Sequence, residues 1–377
     1  MAALEEGCPI DAITLLEPLV EDDDENVDAL VCLGMAYVQA EMPEEAVKVL
    51  EQAEELVEQH CVIELFLGRA LWALGKLDYA EDKIREAHRL DSSEPEVWLD
   101  LARILYKKHE YRDALDYLQQ AIELFPDDLG LISLYALTLY RLGDFTAATD
   151  EWARVHRLNP DFMAAVSNYA YLLLLQNRIF EATPFVGHAN IVDPDDYRAQ
   201  ILLGELRFQS GDHDGAKECF LRVIADDPTN IEALSKLAVL AHLARDYDTS
   251  NYYLELAEAE LGRDSESWRG LCGIYPLLGM SEEYMDCLIS WTKDDPGAVS
   301  PWVSLANEYD KQGKLEYARN AWRVVFELRG YAKIRCSACG TETRIPYDSK
   351  IGFDVYQAVI CDVCGSKIGM PAGLALT

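Results

Sequence analysis

No stretch of this 377-residue chain stays apolar for the roughly 18 residues a membrane-spanning helix requires. Nor does it open on the basic segment of a secretory leader, since Met1, Ala2, Ala3 and Leu4 run into Glu5 and Glu6. No membrane span is expected, and the cytoplasm is the default location. Basic residues are scarce as well, 33 Lys and Arg against 67 Asp and Glu, for a net charge of -34. Nucleic acids and anionic membranes are bound through cationic surface, so this deficit argues against both as partners. Acids crowd the N-terminal end: residues 1–60 hold seventeen against Lys48 alone, whereas residues 301–377 hold eight acids and ten bases. A halophilic source would produce the same excess. Histidine is sparse and scattered, at His60, His88, His109, His156, His188, His213 and His242. No nucleophile and base at a recognisable spacing, no phosphate-binding loop and no open metal site accompany these histidines. A non-enzymatic protein is expected.

What the chain does have is apolar material, 50% of residues, enough for a large core, and a strict period. The unit Pro95 to Asp128 carries Trp98, Leu101, Ala102, Ala114, Leu118, Ala121 and Pro126. Steps of 34 from Ala114 land on Ala148, Ala182 and Ala216 going forward, and on Ala80 and Ala46 going back. Units begin at Val27, Cys61, Pro95, Leu129, Met163, Tyr197, Ile231, Ser265 and Val299. Counting each first residue as offset 1, offset 8 is always small and offset 20 is alanine in seven of the nine units. Small residues at both places let two helices cross closely. Glycine at offset 15 (Gly75, Gly143, Gly211, Gly279, Gly313) suits a left-handed helix stop, and proline at offset 32 ends the second helix. Each unit reads as helix, turn, helix.

This pattern resembles the tetratricopeptide repeat family over residues 27–330. The resemblance implies an all-α, right-handed superhelical solenoid, in which stacked helix pairs share one core. Residues 1–26 read as half a repeat, with Gly7, Ala12 and Leu16 in register and a capping helix over Pro9 to Val20. The acids Glu21 to Glu25 read as a solvated turn. Irregularity is expected at Pro184, inside the second helix of the fifth unit. In the eighth unit Gly270, Gly273 and Pro276 should bend the first helix.

In this family the first helices line the concave surface through offsets 2, 5, 9, 12 and 13, and partners bind there. Offset 12 supplies Trp72, Tyr106, Tyr140 and Phe208, while offsets 9 and 13 supply Arg69, Arg103, Lys107, Arg141 and Tyr171. One reading makes the stripe core packing. The other makes it a recognition strip for a protein or peptide with acidic and apolar residues, because arginine grips carboxylates and aromatics anchor apolar groups. The carboxylate clamp of the family's chaperone-binding members is absent, since Leu65 with Arg69 and Leu99 with Arg103 replace its lysine and asparagine. Trp98, Trp268 and Trp302 at offset 4 read as core.

After Gly330 the period stops. Residues 331–377 carry strand-like Tyr331 to Arg335 and Val355 to Ile360, and two knuckles, Cys336 with Cys339 and Cys361 with Cys364, each followed by glycine. Four thiolates at this spacing suit a closed tetrahedral site, so a small β-rich zinc ribbon with structural zinc is expected. Rubredoxin-like iron is the alternative, although the usual knuckle proline is absent at Ser337 and Asp362. The other cysteines, Cys8, Cys32, Cys61, Cys219, Cys272 and Cys287, read as small core residues in a reducing compartment. The whole is similar in architecture to the lipopolysaccharide assembly protein B family, without that family's membrane anchor. The expected function is an interaction scaffold or adaptor. Its rival is a nucleic-acid factor acting through Lys333, Arg335, Arg344, Lys350 and Lys367 of the ribbon, a weak footprint beside four acids.

Overall fold

The computed structural model describes residues 8–57, 59–261, 265–335, 338–339, 341–347, 359–360, 363–365 and 367–368. First helices run Val27–Gln39, Cys61–Ala73, Pro95–Lys107, Leu129–Arg141, Met163–Leu175, Tyr197–Gln209, Ile231–Leu243, Ser265–Cys272 and Val299–Lys311. Eight of the nine are 13 residues long, and the start residue advances by 34 each time. The matching second helices begin at Pro43, Leu77, Tyr111, Phe145, Ile179, His213, Tyr247, Ser281 and Leu315. These pairs are called repeats 1 to 9. Among the described residues one helix, Pro9–Asp22, precedes them. By packing, the chain divides into Met1–Tyr135 and Ala136–Thr377, taken separately below.

Within a repeat the two helices meet where a small residue faces a large one. Offset 8 of the first helix lies against offset 24 of the second. A Cβ added to Gly34 would sit 2.5 Å from Leu50, one on Gly68 2.6 Å from Ile84, and one on Gly204 2.6 Å from Phe220. Ala46, Ala80, Ala114, Ala148, Ala182 and Ala216 at offset 20 are wholly buried. Repeat 7 has Ser250 there instead, and its hydroxyl donates to the Ala238 carbonyl at 2.9 Å, so the buried polar atom is satisfied.

The turn between the helices imposes one backbone state on every repeat. Offset 15 has positive φ in all nine: Gly75, Gly143, Gly211, Gly279 and Gly313, but also Glu41, His109, Asn177 and Arg245. Glycine enters this left-handed region freely and asparagine and histidine with less penalty than most residues, whereas Glu and Arg are strained in it. The turn geometry therefore prevails over local preference.

In the first unit the core runs from Ala12 and Ile13 of the leading helix through Leu33, Leu50, Ile84 and Leu101. Ion pairs bridge successive repeats along its flank. Lys108 at the end of one first helix reaches Glu81 at 2.6 Å and Asp78 at 2.9 Å in the repeat before.

In the second unit the last repeat returns to the first. Arg329, buried at the end of the second helix of repeat 9, donates from Nε to the Leu142 carbonyl at 2.6 Å and from Nη2 to the Gly143 carbonyl at 3.0 Å. Tyr331 donates to Asp144 Oδ2 at 2.9 Å. Charge-assisted bonds thus join residues some 187 positions apart and close repeats 4 to 9 on themselves.

Repeat 8 departs from the pattern as expected at Pro276. Its first helix stops at Cys272, and a single turn, Tyr275–Leu278, follows with Pro276 in its first positions, where a missing N–H costs nothing. Tyr284 takes the place of the offset-20 alanine, too large for the close crossing. Cys272 and Cys287 differ from expectation: they are not separate core thiols but a disulfide tying the two helices together. A disulfide is at odds with the reducing compartment that cysteine usage suggested. Pro184 sits inside Ile179–Val192, and that helix continues through it.

Beyond Gly330 the elements among the described residues are strands. Tyr331–Arg335 pairs antiparallel with Glu342–Pro346, ending at Arg335 opposite Glu342, and Val359–Ile360 pairs antiparallel with Lys367–Ile368. Tyr347 lies 5.9 Å from the Phe326 ring, which holds the first hairpin against repeat 9.

Two outcomes follow from these backbone and closure arguments. Glu41→Gly and Arg245→Gly should each raise stability by about 0.5–1 kcal/mol in urea melts, and a loss of stability in both would contradict the strain. Arg329→Met should cost about 2–4 kcal/mol and enlarge the radius of gyration by small-angle scattering. An unchanged radius would show that these bonds do not hold the closure.

Candidate functional site

The first helices of repeats 2 and 3 place Arg69, Trp72, Leu99 and Arg103 around an open hollow of about 450 Å³, together with Glu96 and Asp100. Thirteen-residue helices at a 34-residue spacing bring offsets 9 and 12 of one repeat beside offsets 2, 5 and 6 of the next. That adjacency sets the hollow's chemistry. Arg69 Nε lies 2.5 Å from Asp100 Oδ2, and its Nη2 lies 2.7 Å from Glu96 Oε2. Arg103 reaches the other oxygen of Asp100 at 3.3 Å. Burial works against the Arg69 charge, but Asp100 and Glu96 outweigh it and hold the guanidinium above its ordinary value. The Arg69 guanidinium also lies 4.9 Å above the Phe66 ring.

Arg69 is therefore bound within the fold by two carboxylates, where the sequence suggested a charge presented to a partner. Asp100 and Glu96 were missed by the sequence reading, although their offsets abut Arg69. Arg103 differs, with 46% of its side chain exposed and one long contact, and Lys107 is exposed. Tyr106 packs edge-on against Tyr111 at 5.0 Å, so part of the aromatic stripe is indeed packing. Trp98 is core, as expected, its indole N–H donating to the Ser92 carbonyl at 2.9 Å.

In the second unit Tyr140 and Tyr171, from repeats 4 and 5, lie with ring centroids 6.3 Å apart and planes at 77°. Between these rings and repeat 8 comes a residue that the sequence reading passed over. Arg269 carries its guanidinium carbon 4.8 Å from the Tyr140 centroid and 5.1 Å from that of Tyr171. Arg141 lies farther away, at 6.0 Å from Tyr140. The Tyr140 hydroxyl is buried without a hydrogen-bond partner. Arg269 borders two cavities: one of about 550 Å³ toward Tyr284 and Trp291, and one of about 620 Å³ toward Asn168 and Tyr197. Phe208 is apart from both rings, stacked on His213 at 5.4 Å with Lys236 Nζ 5.8 Å from its centroid. Within the first unit Arg69, Trp72 and Arg103 share a hollow; within the second Tyr140 and Tyr171 share a cation, and Phe208 packs locally.

Of the four candidate metal ligands, Cys339 and Cys364 are exposed, and Cys336 and Cys361 lie outside the described residues. Among the described residues no group of three or more His, Cys, Asp and Glu could hold a metal ion. In the sequence each Cys-x-x-Cys pair directly follows a strand, Tyr331–Arg335 or Val359–Ile360, and Gly365 adopts φ +69° directly after Cys364. No helix among the described residues is long and apolar enough to cross a membrane.

Residues 95–128 and 201–265 match models of the tetratricopeptide repeat. No curated protein matches the chain. Among solved structures, a tetratricopeptide repeat protein from Parabacteroides merdae ATCC 43184 is 14% identical, with 69% of this chain and 97% of that one covered and a TM-score of 0.52. The C-terminal part of a repeat-containing protein from Cytophaga hutchinsonii is 16% identical, with 62% and 96% covered and a TM-score of 0.49. Pseudomonas aeruginosa PilF is 22% identical, with 54% and 93% covered and a TM-score of 0.49.

Proposed function

We propose that this tetratricopeptide-repeat protein is a non-enzymatic scaffold, and that the hollow of repeats 2 and 3 seats a peptide segment of a partner protein. Trp72 beside Leu99, with Arg103 exposed above them, is the observation that carries the reading. An apolar anchor on the indole would gain burial, and an acidic residue next to it would compete for Arg103, whose bond to Asp100 is the longest in the hollow. Arg69 keeps the floor of the hollow rigid. The net charge of -34 makes a nucleic-acid partner the weaker alternative. Selection of short random peptides displayed on phage against the full chain should enrich sequences pairing an apolar residue with an acid. Trp72→Ala and Arg103→Glu should each weaken them about tenfold. Enriched peptides indifferent to both substitutions would remove the hollow from the account.

For the residues after Gly330 the proposal is a structural metal. It is supported by the two Cys-x-x-Cys pairs, each following a strand in the sequence, and by the left-handed Gly365 directly after Cys364. Cys336, Cys339, Cys361 and Cys364 would hold the ion, and zinc would supply cross-linking rather than chemistry. Elemental analysis of the purified chain should find one zinc per chain, whereas iron with a visible absorption band would favour the rubredoxin-like alternative.

A further inference from the structure

In the second unit two tyrosine rings from neighbouring repeats hold a guanidinium supplied by the chain itself. Tyr140 and Tyr171 meet at 77°, and one guanidinium contacts both rings at 4.8 and 5.1 Å. A ring face attracts a cation through its quadrupole, and a planar, weakly hydrated guanidinium is favoured over a compact ammonium in such a slot. The guanidinium comes from Arg269 of the chain itself, across the closed second unit, on a helix of the one repeat that breaks the pattern.

Three features of the surroundings exceed what a structural arginine requires. Cavities of about 550 and 620 Å³ flank Arg269, within the range that binds small ligands and side chains. The larger is lined by the carboxylates of Glu232 and Glu260 and by the amides of Asn168 and Asn230, groups that accept guanidinium N–H bonds and hold an extended backbone. The Tyr140 hydroxyl is buried with no partner, leaving an acceptor unmatched beside the slot.

We propose that Tyr140 and Tyr171 form a cation-recognition slot occupied in cis by Arg269, and that its partner is a peptide segment presenting an arginine side chain. The incoming arginine displaces Arg269 from the two rings, and its guanidinium pairs with Glu260. The acidity of the chain favours the approach of such a segment, because a net charge of -34 draws basic partners. This site shares no residue with the hollow of repeats 2 and 3 and has the opposite charge preference, so either assignment stands without the other.

Calorimetric titration of the full chain with an acetylated, amidated Gly-Arg-Gly-Arg-Gly peptide, and with its citrulline counterpart, tests the proposal. Arg269→Ala, which empties the slot, should bind the arginine peptide about tenfold more tightly than the unsubstituted chain. Adding Tyr171→Ala should abolish that gain, and the uncharged citrulline peptide should not bind. Arg269→Gln, which keeps length and polarity but not charge, should show the same gain and serves if the alanine variant does not fold. No gain with either variant, a gain that survives Tyr171→Ala, or equal binding of the citrulline peptide would overturn it.

Discussion

The close crossing of two helices inside each repeat is the constraint on which everything else depends. At offset 8 the chain must be small so that the offset-24 side chain of the second helix can lie against the backbone of the first. Gly34 with Leu50, Gly68 with Ile84 and Gly204 with Phe220 show how little room remains, since an added methyl would fall within 2.5–2.6 Å of its neighbour. The crossing sets the pitch of the pair, and the pitch forces the left-handed residue at offset 15 even where the sequence supplies Glu41 or Arg245. Repetition of one crossing then lines up the first helices side by side, and only that alignment places Arg69 over Asp100.

Where the constraint is relaxed, the contacts change. Repeat 8 has Tyr284 at the offset kept for alanine and a first helix only eight residues long. A disulfide, rather than close packing alone, joins its helices. The irregular repeat is the one that sends Arg269 to Tyr140 and Tyr171 and borders the cavity beside Tyr284.

The repeat architecture was legible in the sequence because it is local and periodic. Start residues, the small offset-8 position, the buried Ala114 series and the glycine turns all follow from contacts within 34 residues. The break at Pro276 was legible for the same reason. The candidate strip was legible only in part. Its residues were picked by offset, but offsets do not reveal what a neighbouring repeat contributes, so the Asp100 and Glu96 partners of Arg69 went unseen. Arg269 stands at offset 5 of repeat 8, an inward position, yet its meeting with Tyr140 depends on the curvature of several repeats. Arg329 on the Leu142 carbonyl, across 187 positions, has the same origin. Positive φ at Glu41 and Arg245 was hidden because neither residue favours it.

The central claim, that a small residue facing a large one at the helix crossing organises the array, is tested most directly by Gly34→Ala measured in two backgrounds. Alanine is the better helix former by about 0.5–1 kcal/mol, so propensity alone predicts that the substitution stabilises the chain. The crossing predicts the reverse: a loss of about 1–3 kcal/mol when Leu50 is present, turning into a gain when Leu50→Ala has cleared the space. Stabilisation by Gly34→Ala with Leu50 in place would contradict the account.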